Sequence, residues 1–338
     1  MPGDSSPARP AAPASGTVLE VRDLSVEYLL ERGTVLAVDQ VSFDLSAGEF
    51  LGIVGESGCG KSTLLFAIAQ LLVPPAEVTG GSVIFKGRNM VGLTDRELSA
   101  VRWRDLSVVM QSAMNALNPV KSIGAQYFDA MRAHGVASKG EIAERSSEVL
   151  KMVGIDPVHL KSYPHQLSGG MRQRAMIAMA LLFTPDLVIM DEPTSALDVV
   201  AQRSLMVQIK ELQEQLGFAI IFVTHDMSLV SHFSDRLMVM YGGLVAEFGA
   251  TRQVFDNPLH PYSIGLLEAF PSIRGPRVPL TGIPGSPPNL ANIPPGCRFA
   301  PRCPKVMARC EVEPPELYQV DGTLVRCFLH DGGGRADD

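Results

Sequence analysis

No stretch of the sequence approaches the roughly 20 consecutive apolar residues that a membrane-spanning helix needs. The longest candidate, residues 175–183, is less than half that length. Residues 1–16 lack the apolar run of a signal peptide and read as a disordered Pro/Ala/Ser tail. A basic surplus is also missing: 29 Lys and Arg stand against 36 Asp and Glu, a formal net charge of −7. That balance argues against the basic face of a nucleic-acid binder. These absences lead us to expect a cytosolic chain that reaches a membrane only by docking on other subunits. The makings of a core are present. Hydrophobic residues are 46% and charged residues 19% of 338, enough for one large α/β domain with an added piece.

Apolar and polar residues alternate over 18–27 and 36–45, which predicts two strands with one face inward. Residues 50–54 (FLGIV) form a continuous apolar run before a glycine-rich turn, the pattern of a strand buried on both faces. Residues 61–72 read as helix. Residues 187–190 and 219–224 are further buried-strand candidates separated by helical stretches, which favours a mostly parallel sheet. Thr94 with Glu97, and Ser138 with Glu141, have capping-box spacing. The region from about 96 to 163 reads as mostly helical, an insertion in an α/β core. Ten prolines in the 34 residues 271–304 mark a loop-rich C-terminal appendix.

Residues 55–62 read GESGCGKS and match G-x-x-x-x-G-K-[ST]. Glycines at this spacing let the backbone curl until successive N–H groups point at phosphate oxygens, and the following helix adds the positive end of its dipole. Gly55, Ser57, Gly58, Cys59, Gly60, Lys61, Ser62 and Thr63 are therefore the candidate ATP contacts. Lys61 is expected to pair with the β- and γ-phosphates and Ser62 to ligate Mg2+. Residues 187–192 (LVIMDE) end a buried run in two acids. Asp191 suits an Mg2+ partner, and Glu192 is placed to polarise an attacking water as general base. Such a run is common alone and gains its meaning from following a phosphate loop.

Residues 167–173 read LSGGMRQ. A serine and two glycines at a helix start make a second anion nest. Here the sequence resembles the ATP-binding-cassette (ABC) ATPases, whose signature is LSGGQ, in order from about Val18 to His260; Met171 stands where many members have Gln. The resemblance implies an α/β nucleotide-binding fold: a RecA-like parallel sheet core with N-terminal antiparallel strands and a helical insertion over about 96–170. It implies an obligate dimer in which Ser168, Gly169 and Gly170 of one subunit face the ATP of the other. It gives Gln111 a place beside Mg2+ and water, Asp198 (in SALD, 195–198) a place in the loop that crosses the dimer interface, and His225 the role of sensing the γ-phosphate. Tyr28 is the candidate for stacking on adenine, although an aromatic in a strand also suits a core. With Glu192 and His225 both present, hydrolysis rather than mere binding is expected.

Coiled-coil members of the family insert long heptad segments between phosphate loop and signature; here only about 105 residues intervene, without sustained heptads. A second cassette is absent. After His225, the segment NPLHPYS (257–263) and the run GCRFAPRCP (296–304) resemble the oligopeptide and dipeptide importer ATPases. The expected organisation is a tail over 1–16, the cassette over 17–262 and the importer-type appendix over 263–338. The implied partners are a second ATPase subunit (copy or paralogue) arranged head to tail, two transmembrane permease subunits and an extracytoplasmic solute-binding protein, with no nucleic acid. The implied location is the cytoplasmic face of the membrane. Nickel, glutathione and some oligosaccharide importers share the appendix, so the cargo stays open.

Cys297, Cys303, Cys310 and Cys327 are spaced C-x5-C-x6-C-x16-C. A cytosolic chain keeps thiols reduced, and the paired C-x2-C steps of common zinc sites are missing. The spacing leaves an iron–sulfur cluster, zinc and metal-free cysteines open. The importer resemblance implies a [4Fe–4S] cluster, structural rather than redox-active. Cys59 belongs to the phosphate loop and not to this set.

Overall fold

The structure is a computed structural model that describes residues 16–31, 33–111, 116–195, 197–269 and 282–332. The expected tail lies outside these residues except for Gly16, as do Ala196 of the SALD loop and the first part of the proline-rich stretch.

Two long strands, β1 (Thr17–Leu30) and β2 (Gly33–Ser46), pair antiparallel as the alternation predicts, each running several residues past the predicted span. After them come β3 (Phe50–Val54) and α1 (Lys61–Ile68). The helix stops short of the expected residue 72 because Gln70 takes a left-handed φ of 55° and Pro74 and Pro75 follow. β4 (Ala76–Phe85) and β5 (Arg88–Asn89) complete an antiparallel sheet in the order β2-β1-β4-β5. α2 (Asp95–Val101) begins with the predicted capping box: Thr94 N donates to Glu97 Oε2 at 2.9 Å, and Glu97 N to Thr94 Oγ1 at 3.4 Å.

The helical insertion differs from its predicted span. A core strand, β6 (Leu106–Val109), lies inside it and pairs parallel with a central strand. Ser107 interrupts the continuous apolar run that marks the other core strands, and pairing with the neighbouring strand holds these residues extended. Helices α3 (Ile123–Ala133), α4 (Lys139–Met152) and α5 (Gly169–Ala180) follow, joined by 3-10 turns at Pro157–Lys161 and Pro164–Gln166. At Ser138 the serine half of the capping box forms, accepting from Glu141 N at 3.3 Å.

The chain then alternates: β7 (Leu187–Asp191), α6 (Val199–Leu216), β8 (Ala219–Val223), α7 (Met227–Phe233), β9 (Arg236–Tyr241), β10 (Leu244–Ala250), α8 (Thr251–Asp256) and α9 (Pro261–Glu268). The C-terminal residues add α10 (Ala308–Val312) and a hairpin, β11 (Tyr318–Val320) with β12 (Thr323–Val325). The second sheet runs β11-β12-β10-β9-β3-β8-β7-β6. Its members from β9 to β6 are parallel, as the continuous apolar runs predicted. The appendix hairpin is absent from the sequence pattern, which reads as loop there. It pairs with β10 through Glu247↔Val325 and Phe248↔Leu324, so the C-terminal segment extends the main sheet.

Side chains of β3 alternate between two cores. Phe50 and Val54 pack on the helical side with Tyr127 and Phe222, while Leu51 and Ile53 face the antiparallel sheet with Val21, Val38 and Leu64. Each such buried side chain contributes roughly 1.5–3 kcal/mol. The parallel order brings the carboxyl ends of β3, β8, β7 and β6 side by side, which is where open α/β sheets bind ligands.

Candidate nucleotide site

The loop leaving β3 turns on two glycines whose places leave no room for a side chain. Gly55 and Gly60 have φ of 150° and 101°. A Cβ on Gly55 would lie 2.3 Å from Met240 O, and one on Gly60 2.2 Å from Ala37 O. Gly60 caps α1 without a side-chain hydrogen bond, so the first-turn N–H groups have no side-chain acceptor. The Lys61 side chain is buried in the loop and donates to Gly55 O at 2.7 Å and Glu56 O at 3.0 Å. Its ammonium is 3.7 Å from the buried Cys59 sulfur. Burial pushes that thiol above its ordinary range, with Lys61 opposing the shift. Ser57 and Gly58 are exposed at the loop tip.

Asp191 ends β7 at 3% exposure and is hydrogen-bonded by Ser62. Its Oδ1 is buried with no partner. Burial pushes the carboxyl upward and the Glu192 charge adds to this, against the Ser62 hydrogen bond and Lys61. A hydroxyl beside an orphaned carboxylate oxygen is a donor set suited to Mg2+, so these residues fit the ion that the phosphate motif implies.

Glu192 follows in a left-handed conformation, φ 45°, with its N–H donating to Val223 O at 2.9 Å. The turn aims its carboxylate between two neighbouring strand ends. Oε2 accepts from Gln111 Nε2 at 2.8 Å, and Oε1 lies 3.5 Å from His225 Nδ1. Gln111 and His225 are exposed, Glu192 half-buried. Glu192, Thr194, Ser195, Gln202, Thr224, His225 and Asp226 line one open cavity of about 340 Å3. Tyr28 sits on β1 over the start of α1, its hydroxyl 3.1 Å from Thr63 Oγ1.

The predicted residues thus divide into two groups. Lys61, Ser62, Asp191, Glu192, Gln111 and His225 converge at adjacent strand ends. Ser168 and Asp198 do not join them. Ser168 is the exposed N-cap of α5, accepting from Met171 N at 3.3 Å, and Gly169 and Gly170 form the first turn. Asp198 is the exposed N-cap of α6, accepting from Ala201 N at 2.9 Å. These two helix starts are neighbours, since a Cβ on Gly170 would lie 3.9 Å from Leu197 Cδ2. Among the described residues no hydrogen bond links either to the phosphate loop.

Cys297, Cys303, Cys310 and Cys327 all line one small cavity together with Phe299, Ala300 and Phe328. Burial raises the Cys297 and Cys303 thiols and pushes Cys327 up to about 11, with the neighbouring cysteines adding to each shift. Among the described residues, no group of three or more His, Cys, Asp or Glu is placed to hold a metal ion. The four side chains are of the donor type that an iron–sulfur group takes, but they are not gathered into a ligand set. Sequence reasoning missed Glu56, Tyr262 and Arg302, which meet at the phosphate loop; the subfamily segments carrying Tyr262 and Arg302 were visible, but nothing in linear spacing ties them to residue 56.

Residues 38–195 match the ABC transporter family, and residues 246–310 match the oligopeptide/dipeptide transporter C-terminal region. The chain is 44% identical to the oligopeptide transport ATP-binding protein OppD of Salmonella typhimurium over 326 residues, covering 96% of this chain and 97% of that one. It is 45% identical to the dipeptide transport ATP-binding protein DppD of Bacillus subtilis over 318 residues, 93% of this chain and 95% of the relative. Its fold is similar to that of the ATP-binding cassette MJ0796 in a dimeric post-hydrolysis state with ADP and Pi. That likeness has a TM-score of 0.62 at 30% identity, over 69% of this chain and 99% of the cassette. The chain belongs to the ATP-hydrolysing subunits of ABC transporters, in the branch marked by the oligopeptide/dipeptide transporter C-terminal region.

Proposed function

We propose that this chain energises the uptake of di- or oligopeptides, bound to the cytoplasmic face of the membrane as half of a head-to-tail ATPase dimer. Its partners in this reading are a second ATPase subunit, two permease subunits and an extracytoplasmic solute-binding protein. The observation that carries the dimer is the division of the site: the phosphate loop and its acids converge, while Ser168 caps an exposed helix start that shares no hydrogen bond with them among the described residues. A partner's Ser168, Gly169 and Gly170 would complete a site that one chain leaves open. The peptide cargo rests on the two relatives above, whose names carry it, and on the C-terminal region. An importer of nickel, glutathione or an oligosaccharide is the alternative.

In the mechanism, loop N–H groups of Ser57, Gly58 and Gly60 to Thr63 and the Lys61 ammonium hold the phosphates, and Tyr28 packs on the base. Ser62 and Asp191, with Gln111 nearby, would hold Mg2+, which supplies charge neutralisation at the transferring phosphoryl group. Glu192 accepts the proton of the attacking water, with Gln111 fixing one of its oxygens and His225 standing at the other to meet the γ-phosphate. Positioned charge is the main catalytic effect. The four C-terminal thiols would hold a [4Fe–4S] cluster, whose iron–thiolate bonds supply cross-links to an otherwise loop-rich segment.

The test is a pull-down of the tagged chain from detergent-solubilised native membranes. Recovery of a second ATPase with two multi-span proteins is expected. Ribosomal or DNA-associated proteins without membrane subunits would overturn the transport reading.

A further inference from the structure

The segments NPLHPYS and GCRFAPRCP have no part in the ATP chemistry above, yet the fold brings one side chain from each to the phosphate loop. Tyr262, fully buried at the start of α9, accepts a 2.8 Å hydrogen bond from Glu56 N–H through its hydroxyl. Arg302, with a side chain 4% exposed, donates to both Glu56 carboxylate oxygens at 2.6 and 2.8 Å. The same guanidinium donates to Tyr241 Oη at 3.2 Å and to Pro284 O at 2.7 Å.

Each gripping residue is itself held. His260 caps α9, its Nδ1 accepting from Tyr262 N at 2.9 Å. Glu247, with no exposure, accepts from Leu259 N and His260 N, both at 2.9 Å. The Tyr262 ring packs on Tyr241 and Phe299, with centroids 4.5 and 5.5 Å apart. Glu56 is thereby fixed at two points, and its own carbonyl accepts from Lys61 Nζ at 3.0 Å. The Gly55–Glu56 peptide thus turns its N–H away to Tyr262 and its carbonyl, Gly55 O, to Lys61 at 2.7 Å. A bidentate pair between a buried guanidinium and a half-buried carboxylate specifies orientation as well as energy.

We infer that Glu56, Tyr262 and Arg302 are positioning residues for ATP binding: the C-terminal region sets the shape of a phosphate loop 246 residues away in sequence. None of the three touches the reacting atoms. They act through the Glu56 peptide on Lys61 and on the direction of the loop N–H groups. This goes beyond the transport reading and depends only on ATP binding in this loop.

The experiment is equilibrium binding of a fluorescent ATP analogue to the full-length chain, with thermal unfolding in parallel. The variants are Arg302→Gln, Glu56→Gln, their double variant, Arg302→Lys and Tyr262→Phe. Each of the Arg302→Gln, Glu56→Gln and Tyr262→Phe changes is expected to weaken binding roughly tenfold. The double variant should be no weaker than the worse single, since both remove one contact. Arg302→Lys, which keeps the charge but not the fork, should regain only part of the affinity. Affinity within twofold of wild type at a lowered melting temperature would make the assembly merely structural and overturn the inference, as would losses that multiply in the double variant. Tyr262→Phe removes a single hydroxyl and decides the matter even where Arg302→Gln does not fold.

Discussion

Gln111 Nε2 donates to Glu192 Oε2 at 2.8 Å, joining the end of β6 to the residue after β7. That bond fixes the carboxylate while its other oxygen stays 3.5 Å from His225 Nδ1. Gln111→Ala and His225→Ala should each lower kcat by roughly 10²-fold, the scale of a general-base arrangement lost. Both side chains are exposed, so melting temperatures should stay within a degree or so of wild type. Steady-state hydrolysis and calorimetry check this; unchanged kcat in both variants would remove the pair from the site.

The phosphate loop allows a ranked test of backbone strain. Gly60→Ala forces a Cβ to 2.2 Å from Ala37 O, whereas Gly58→Ala meets nothing within 4 Å and carries only its left-handed φ of 78°. The Gly58 change should cost about 1 kcal/mol and the Gly60 change at least about 2–3 kcal/mol, with loss of nucleotide binding. Chemical denaturation of both variants checks the order, and equal costs would contradict it.

Burial raises the Asp191 carboxyl above its ordinary value of 3.8. The folded chain then binds this proton more tightly than the unfolded chain does. Stability from this group is present below 3.8 and is lost as pH rises through the folded value. Asp191→Asn should therefore melt higher than wild type near neutrality in nucleotide-free, Mg2+-free buffer, the gap closing as pH falls toward the ordinary carboxylate range. Hydrolysis should be lost in the same variant. A gap that does not change with pH would refute the account of Asp191.

For the C-terminal thiols, anaerobically purified protein should carry iron and acid-labile sulfide and absorb broadly in the visible. Cys303→Ser should lose all three signals, and the segment after residue 296 should become sensitive to protease. A colourless, zinc-bearing protein would contradict the iron assignment.

Much of the site was legible because its chemistry is local. GESGCGKS, LVIMDE and LSGGMRQ each place their groups within one turn or strand end, so spacing alone carries the geometry. β3, β7 and β8 were legible because strands buried on both faces are continuous apolar runs. β6 was not: Leu106–Val109 is held by its neighbour in the sheet rather than by pattern. The β11–β12 hairpin was hidden for the same reason, its strands being three residues each and stabilised by β10. The grip of Tyr262 and Arg302 on Glu56 depends on three distant segments meeting, which no window of sequence displays.

In the proposed function two subunits share a composite ATP site, with Glu192 as its base. It is tested most directly by size-exclusion chromatography with light scattering on Glu192→Gln, with and without MgATP, alongside its hydrolysis rate. The variant is expected to turn over ATP at least about 10²-fold more slowly than wild type, to be monomeric without nucleotide, and to be dimeric with it. Dimerisation should vanish when Ser168→Arg is added. A Glu192→Gln chain that hydrolyses ATP at the wild-type rate, or stays monomeric at saturating MgATP both alone and with its co-purifying ATPase partner, would contradict it.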